Sequence, residues 1–336
     1  MTRNIHFVGS IKLDDPAAVF TALGRHVGGL APRYPDGETG ERENWLGWQQ
    51  AVFANHPDLE PVVHADDHVG FQQFRPRAGV DPASIEFSDI GYARVALASY
   101  EDFTRLREAG AVPPETRFQV SIPTPLAVMT MFIAPDVAGA LEAAYDAAMA
   151  DDVRSLCAGV PAEDLAIQWD VCIEVTAYDS GRPLHEADPL GHASRTVARM
   201  MAIADAGTET GVHLCYGDAG HKHIIEPADL ATSVAFANSI TAASPAPLAW
   251  VHMAVPRDRD DPAYFEPLEG LAIGDAELML GLLHLTDGLD GARRRIDAAE
   301  QTTVVFGLAT ECGFGRRPVE TIPDLLTLHA DAARTS

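Results

Sequence analysis

Eight short apolar runs separated by longer stretches of helical periodicity predict an α/β protein, a single-domain (β/α)8 TIM barrel spanning residues 1–336. Three observations carry this. The runs are continuously apolar rather than alternating, as strands of a parallel sheet covered on both faces must be. A chain of 336 residues could hold one large domain or two ordinary ones, but no linker or low-complexity break divides it. Finally, a polar residue ends nearly every run: Ser10, Glu38, Ser121, Asp170, His213 with Cys215, His252, His284 and Cys312. In this fold the C-terminal ends of the strands form the active-site face.

The elements follow in order. The run Ile5 to Ser10 precedes a helix over Pro16 to Leu30, with Val19, Phe20, Leu23 and Val27 at helical spacing behind an acidic Asp14-Asp15-Pro16 start. Ala31 to Glu38 is the second strand. The turn-rich, charged stretch Tyr34 to Arg42 opens a helix through Trp45, Leu46, Trp48, Val52 and Phe53. Residues 57–90 are weakly patterned and read as an excursion carrying extra strands. A helix over Tyr92 to Ala109 leads to the run Phe118 to Pro125, and an Ala-rich helix over Asp136 to Leu156 leads to Leu165 to Val171. A helix from Ala193 to Asp205 precedes the run ending in His213 and Cys215. The remaining strands are Leu248 to Met253, Leu278 to His284 and Val304 to Leu308.

Composition narrows the function. With 24 basic and 49 acidic residues the net charge is −25, which repels phosphate backbones and anionic membrane surfaces, so nucleic acid is excluded as a partner. The four cysteines, Cys157, Cys172, Cys215 and Cys312, are too sparse for a disulfide framework and suit a reducing compartment. The sequence starts into an apolar strand with no signal-peptide pattern, and no run is long enough to span a membrane. A cytoplasmic protein is expected, and a homo-oligomer is compatible with the sequence.

His213 and Cys215 share one face of a strand because side chains alternate. Cys312 ends the last strand, and a barrel brings strand ends around one mouth. Thiolate and imidazole donors together suit a soft divalent ion, most simply zinc. His252, at the end of the strand between them, is the favoured fourth ligand; Glu226, His221, His223 or the substrate itself are the other choices. His284 at the mouth has a side chain suited to acid–base work near neutrality. Asp170 ends an otherwise apolar strand and could grip a cationic nitrogen. Glu38, Glu41 and Arg42, with Trp45 and Trp48 behind them, form either a substrate lid or a solvated loop. The run Arg257 to Asp261 reads as a self-paired surface loop. There is no P-loop and no H-E-x-x-H pattern.

His213-Leu214-Cys215-Tyr216 followed by Cys312-Gly313 resembles the catalytic C-terminal barrel of cobalamin-independent methionine synthase. The likeness extends to Val8-Gly9-Ser10, Gly40-Glu41-Arg42-Glu43-Asn44, Ile122-Pro123-Thr124-Pro125, Ile167-Gln168-Trp169-Asp170 and Leu283-His284. The resemblance implies Zn2+ at His213, Cys215 and Cys312, with His252 where the family carries a glutamate ligand. It implies that Asp170 binds a substrate amino group, with Ser10, Glu38, Glu41 and Ser121 completing the substrate site, and that His284 protonates a leaving group. The implied reaction is zinc-dependent methyl or alkyl transfer between a small-molecule thiol and a methyl donor such as a folate. The residues corresponding to the family's N-terminal barrel are not in this sequence, so donor or acceptor is expected to differ. A zinc lyase or hydrolase, and a non-catalytic thiol- or pterin-binding barrel with structural zinc, are the other readings.

Overall fold

The computed structural model describes residues 2–63, 70–217, 222–302 and 304–335. Nine strands form among these residues: β1 (Arg33–Pro35), β2 (Leu59–Pro61), β3 (Phe74–Pro76), β4 (Arg117–Pro123), β5 (Leu165–Val171), β6 (Glu209–Leu214), β7 (Trp250–Ala254), β8 (Glu277–Leu283) and β9 (Phe306–Thr310). Seven of them make one parallel sheet in the order β1-β4-β5-β6-β7-β8-β9, and eleven α-helices accompany it. From β4 onward, each strand pairs with its successor in sequence. β5 is buried along its whole length, as are β7 and β9, which is why these runs are continuously apolar. β2 and β3 form a separate antiparallel pair inside the expected excursion. Among the described residues no helix is long and apolar enough to cross a membrane.

The expected first strand, Ile5 to Ser10, is not a regular strand. Ile5 makes a single parallel bridge to Leu308 on β9, and its N–H donates to the carbonyl of Leu30, 2.9 Å away. The reason lies in where the next carbonyls go. Gln119 Nε2 donates to the carbonyl oxygen of Phe7 at 2.8 Å. Gln168 Nε2 at 2.5 Å and Ser121 Oγ at 2.9 Å both donate to that of Val8. Buried side chains from β4 and β5 thus satisfy acceptors that a ladder would otherwise take.

The expected helix over Trp45 to Phe53 is also shorter. Two 3-10 turns, Gly40–Asn44 and Gly47–Gln49, precede an α-helix limited to Gln50–Ala54. Trp45, at φ 43°, interrupts the helix. Short helices at Pro125–Phe132 and Ile173–Ser180 follow β4 and β5 directly. The first is capped by Thr124, whose hydroxyl accepts from Ala127 N.

The N-terminal end of the sheet is tied by Arg33. Its guanidinium bonds Glu209 on β6 and Glu277 on β8, each at 2.7 Å, and lies 4.3 Å from the Trp250 ring centre. This links the starts of β1, β6, β7 and β8 and leaves the opposite end for chemistry.

Among the outer helices, Glu142 on Pro135–Gly159 bonds His185 at 2.5 Å and also His192 on Pro189–Met201. Burial pushes the Glu142 carboxyl up, but the two histidines outweigh it and hold the group at about 2; His192 is raised in turn. The carboxylate's contribution to stability is complete above its ordinary value of 4.5 and is lost as pH falls towards 2. The His192 contribution is complete below 6.5 and drains as pH rises above it. The stability difference between wild type and Glu142→Gln, measured by urea denaturation, should therefore be widest between about pH 4.5 and 6.5 and close on the acid side. A gap that does not vary with pH would show the cluster to be electrostatically idle.

Candidate metal centre

His213 lies on β6, Cys215 just beyond its end, and Cys312 two residues beyond β9. Their donor atoms all lie within 4.8 Å of one another. Cys215 Sγ is 3.8 Å from Cys312 Sγ, which is 3.8 Å from His213 Nε2. A tetrahedral zinc with ordinary bond lengths separates two sulfurs by about 3.8 Å and a sulfur from a nitrogen by about 3.5 Å. The spacing and donor set therefore fit zinc. Cys215 Sγ also accepts from the Gly217 N–H at 3.2 Å. The adjacent Cys172 thiol, with burial adding to it, pushes the Cys215 thiol well up. Burial, then His252, pushes His213 well down. The buried Cys215 thiol and His213 imidazole are therefore both held neutral, and a divalent cation would convert the thiol to a thiolate by displacing its proton.

His252 does not join this cluster. It is the Cα partner of His213 across β6 and β7, and it is fully buried, but both its nitrogens are spent elsewhere. Nδ1 lies 2.7 Å from His213 Nδ1, and Nε2 lies 3.0 Å from the Thr310 carbonyl oxygen. Glu226 is exposed and bonds His223 Nδ1 at 3.1 Å, so neither is brought to the three donors; His221 lies outside the described residues.

His284 follows β8 and is buried. Its Nε2 donates to the Val255 carbonyl at 3.0 Å, and its Nδ1 faces Glu311 Oε1 at 3.6 Å. Burial holds it at about 4, so it is a neutral imidazole near pH 7. Glu311, which the sequence reading passed over, stands between His284 and His223, the latter 3.4 Å away. Burial raises its carboxyl, but the two histidines outweigh that and leave it lowered.

A cleft opens beside the three donors. Its other walls carry Ser10, Glu38, Glu43, Trp45, Asp170 and Arg316. Asp170 accepts from Gln168 Nε2 at 2.9 Å and from Trp45 Nε1 at 3.3 Å. Burial raises Asp170 to about 7. Burial, then the neighbouring Asp170, raises Glu38 to about 8. Two acids that cannot both ionise cheaply make a receptor for a cation, whose arrival lets both lose their protons. Glu38 and Trp45 are two of the three non-glycine residues at positive φ among the described residues, so backbone strain falls on this wall.

The other expected contacts fall less directly. Ser10 Oγ accepts from Gly315 N at 3.3 Å, and a Cβ on Gly313 would lie 2.3 Å from that hydroxyl oxygen. Ser121 is not on the cleft wall; its hydroxyl is held by the Val8 carbonyl beneath Glu38. Glu41 points into solvent, because the 3-10 turn at Gly40–Asn44 presents Glu43 to the cleft instead, where it pairs with Lys12. Cys172 also lines the cleft. Its signal was available in sequence, since it lies two residues past Asp170 and so on the same face.

No protein-family model matches the sequence, and no curated protein matches it. Solved structures do. A candidate vitamin-B12-independent methionine synthase from Listeria monocytogenes aligns at TM-score 0.58 and 15% identity, covering 95% of this chain and 86% of that one. A B12-independent methionine synthase from Shewanella sp. W3-18-1, in complex with selenomethionine, aligns at 0.53 and 14%, covering 85% and 77%. A methyltransferase from Methanosarcina mazei aligns at 0.53 and 11%, covering 98% and 94%. The chain therefore has the fold of these methionine synthase and methyltransferase structures.

Proposed function

We propose that the chain is a single-domain (β/α)8 enzyme that transfers a methyl or other alkyl group to or from a small-molecule thiol, using zinc held by His213, Cys215 and Cys312. The observation that carries this is the convergence of those three donors, all within 4.8 Å of one another, on a cleft that also holds a carboxyl pair. Zinc in such a site lowers the pKa of a bound thiol so that a thiolate nucleophile exists at neutral pH. With His252 engaged elsewhere, the fourth position is left to the substrate.

In this reading Glu38 and Asp170 hold a substrate ammonium. Gln168 and Trp45 fix the Asp170 carboxylate, and the ammonium supplies the charge that this buried pair lacks. The favoured thiol is therefore an amino thiol, in keeping with the selenomethionine in the Shewanella structure. Ser10 shapes the cleft wall beside Cys312. His284 serves as the acid–base group through its Nδ1, which faces Glu311, and the methyl donor is a small molecule such as a folate. A hydrolase fits less well, because two thiolates reduce the Lewis acidity that water activation requires.

Two measurements test this. The purified protein should bind one zinc per chain, and His213→Ala and Cys312→Ser should each weaken binding by roughly tenfold or more in competition with a chromophoric chelator. Wild-type affinity in both variants would refute the ligand assignment. By calorimetry, an amino thiol should bind the zinc-loaded protein, and Asp170→Ala should weaken it by roughly tenfold, about 1.4 kcal/mol. A thiol without an amine should not respond to that substitution. The amine-dependent part of the affinity should rise with pH through 7 to 8, because Glu38 and Asp170 must lose their protons to pair with the ammonium. Equal losses for both thiols would refute the ammonium site.

A further inference from the structure

We infer that His252 is a positioning residue that fixes the tautomer of His213, so that the His213 Nε2 lone pair faces the two thiols, and that His252 does not itself bind the metal. The inference rests on the zinc reading above.

Hydrogen-bond arithmetic carries the argument. The Thr310 carbonyl can only accept, so His252 Nε2, 3.0 Å away, carries a hydrogen. A second hydrogen on Nδ1 would make a fully buried imidazolium, at a large desolvation cost. His252 Nδ1 is therefore a bare acceptor. The 2.7 Å contact between the two Nδ1 atoms requires one hydrogen between them, and it must come from His213. His213 thus keeps its hydrogen on Nδ1, leaving Nε2 with the lone pair that points at Cys312 Sγ. A backbone carbonyl on β9 dictates, through two rings, which nitrogen is offered to a metal.

The surroundings hold the relay rigid. His213 and His252 are register partners on adjacent strands. The His6 ring packs against His252, with centroids 5.5 Å apart, and is held in turn by Gln168 Oε1 at 2.8 Å. Thr310 serves both arms: its carbonyl takes His252, and its hydroxyl donates to the Cys312 carbonyl at 2.7 Å. The β8–β9 register shift between Leu280 and Leu283 falls at this level, and a Cβ on Gly281 would lie 2.7 Å from Glu311 Cα. The bulge and the glycine bring Thr310 and Glu311 close to β8.

The test compares wild type with His252→Phe, which keeps the ring but has no acceptor, and His252→Asn, whose amide oxygen can stand where Nδ1 stood. In metal-free protein, nitrogen chemical shifts of labelled histidine should show His213 in the Nδ1–H form in wild type and His252→Asn, and a shift towards Nε2–H in His252→Phe. Zinc affinity by chelator competition should fall roughly tenfold to a hundredfold in His252→Phe and by much less in His252→Asn. X-ray absorption should count one imidazole on zinc in wild type and in His252→Asn. Either an Nε2–H His213 in metal-free wild type or undiminished affinity in His252→Phe would overturn the inference. So would loss of an imidazole from the zinc shell in His252→Asn, since His252 would then be a ligand. If wild type bound no zinc, the functional reading would fail, while the tautomer measurement would still decide the relay. It would decide it too if His252→Phe did not fold.

Discussion

A neutral imidazole has one donor and one acceptor, and once it is buried both must be satisfied. That constraint orders the mouth of this sheet. His6, His213, His252 and His284 are all buried at or near it. Three of them have a nitrogen assigned by a group that cannot change its role: a backbone carbonyl for His252 and His284, and the amide oxygen of Gln168 for His6; His213 faces His252. Because the carbonyls are fixed by the strands, the hydrogens on the rings are fixed too, before any ligand arrives. The cost of ordering polar groups is met by folding, and the site is organised in advance.

The same logic explains the contrast between the two walls of the cleft. On the thiol side, the Cys172 contact and burial hold Cys215 neutral, and burial with His252 holds His213 neutral. On the carboxylate side, burial holds Glu38 and Asp170 near the edge of ionisation. On the reading proposed above, each wall suits a different cation: a metal ion among sulfurs, an ammonium between oxygens. Trp45 joins the carboxylate wall from a backbone at positive φ, its indole N–H donating to Asp170.

Much of the fold is legible in the sequence because burial on both faces leaves a plain mark. β4 to β9 read as continuous apolar runs, and strand-end position is enough to bring His213, Cys215 and Cys312 into one group. The segment Ile5 to Ser10 has the same apolar mark but not the same structure. Its carbonyls are taken by Gln119, Gln168 and Ser121, and no local pattern announces a side chain more than a hundred residues away. His252 illustrates a different limit. Its place at a strand end says that it reaches the mouth, not which nitrogen is already engaged. Glu311 is hidden because strand alternation from Cys312 would turn it away from the centre, and only the β8–β9 irregularity brings it beside His284. Glu41 and Glu43 cannot be told apart until the 3-10 turn sets which of them faces inward.

The bridge between Ile5 and Leu308 joins segments far apart in sequence. During synthesis the Ile5 to Ser10 segment can meet Leu30, β4 and β5 early, but its partner on β9 comes only after the other strands of the sheet. Until then β8 is without its neighbour β9, and such open edges are where chains stick to one another. Cys312 follows that last strand, so the third donor also appears only at this stage. The donors of His213, Cys215 and Cys312 can therefore meet only after β9 has been made, so this corner of the cleft is assembled late.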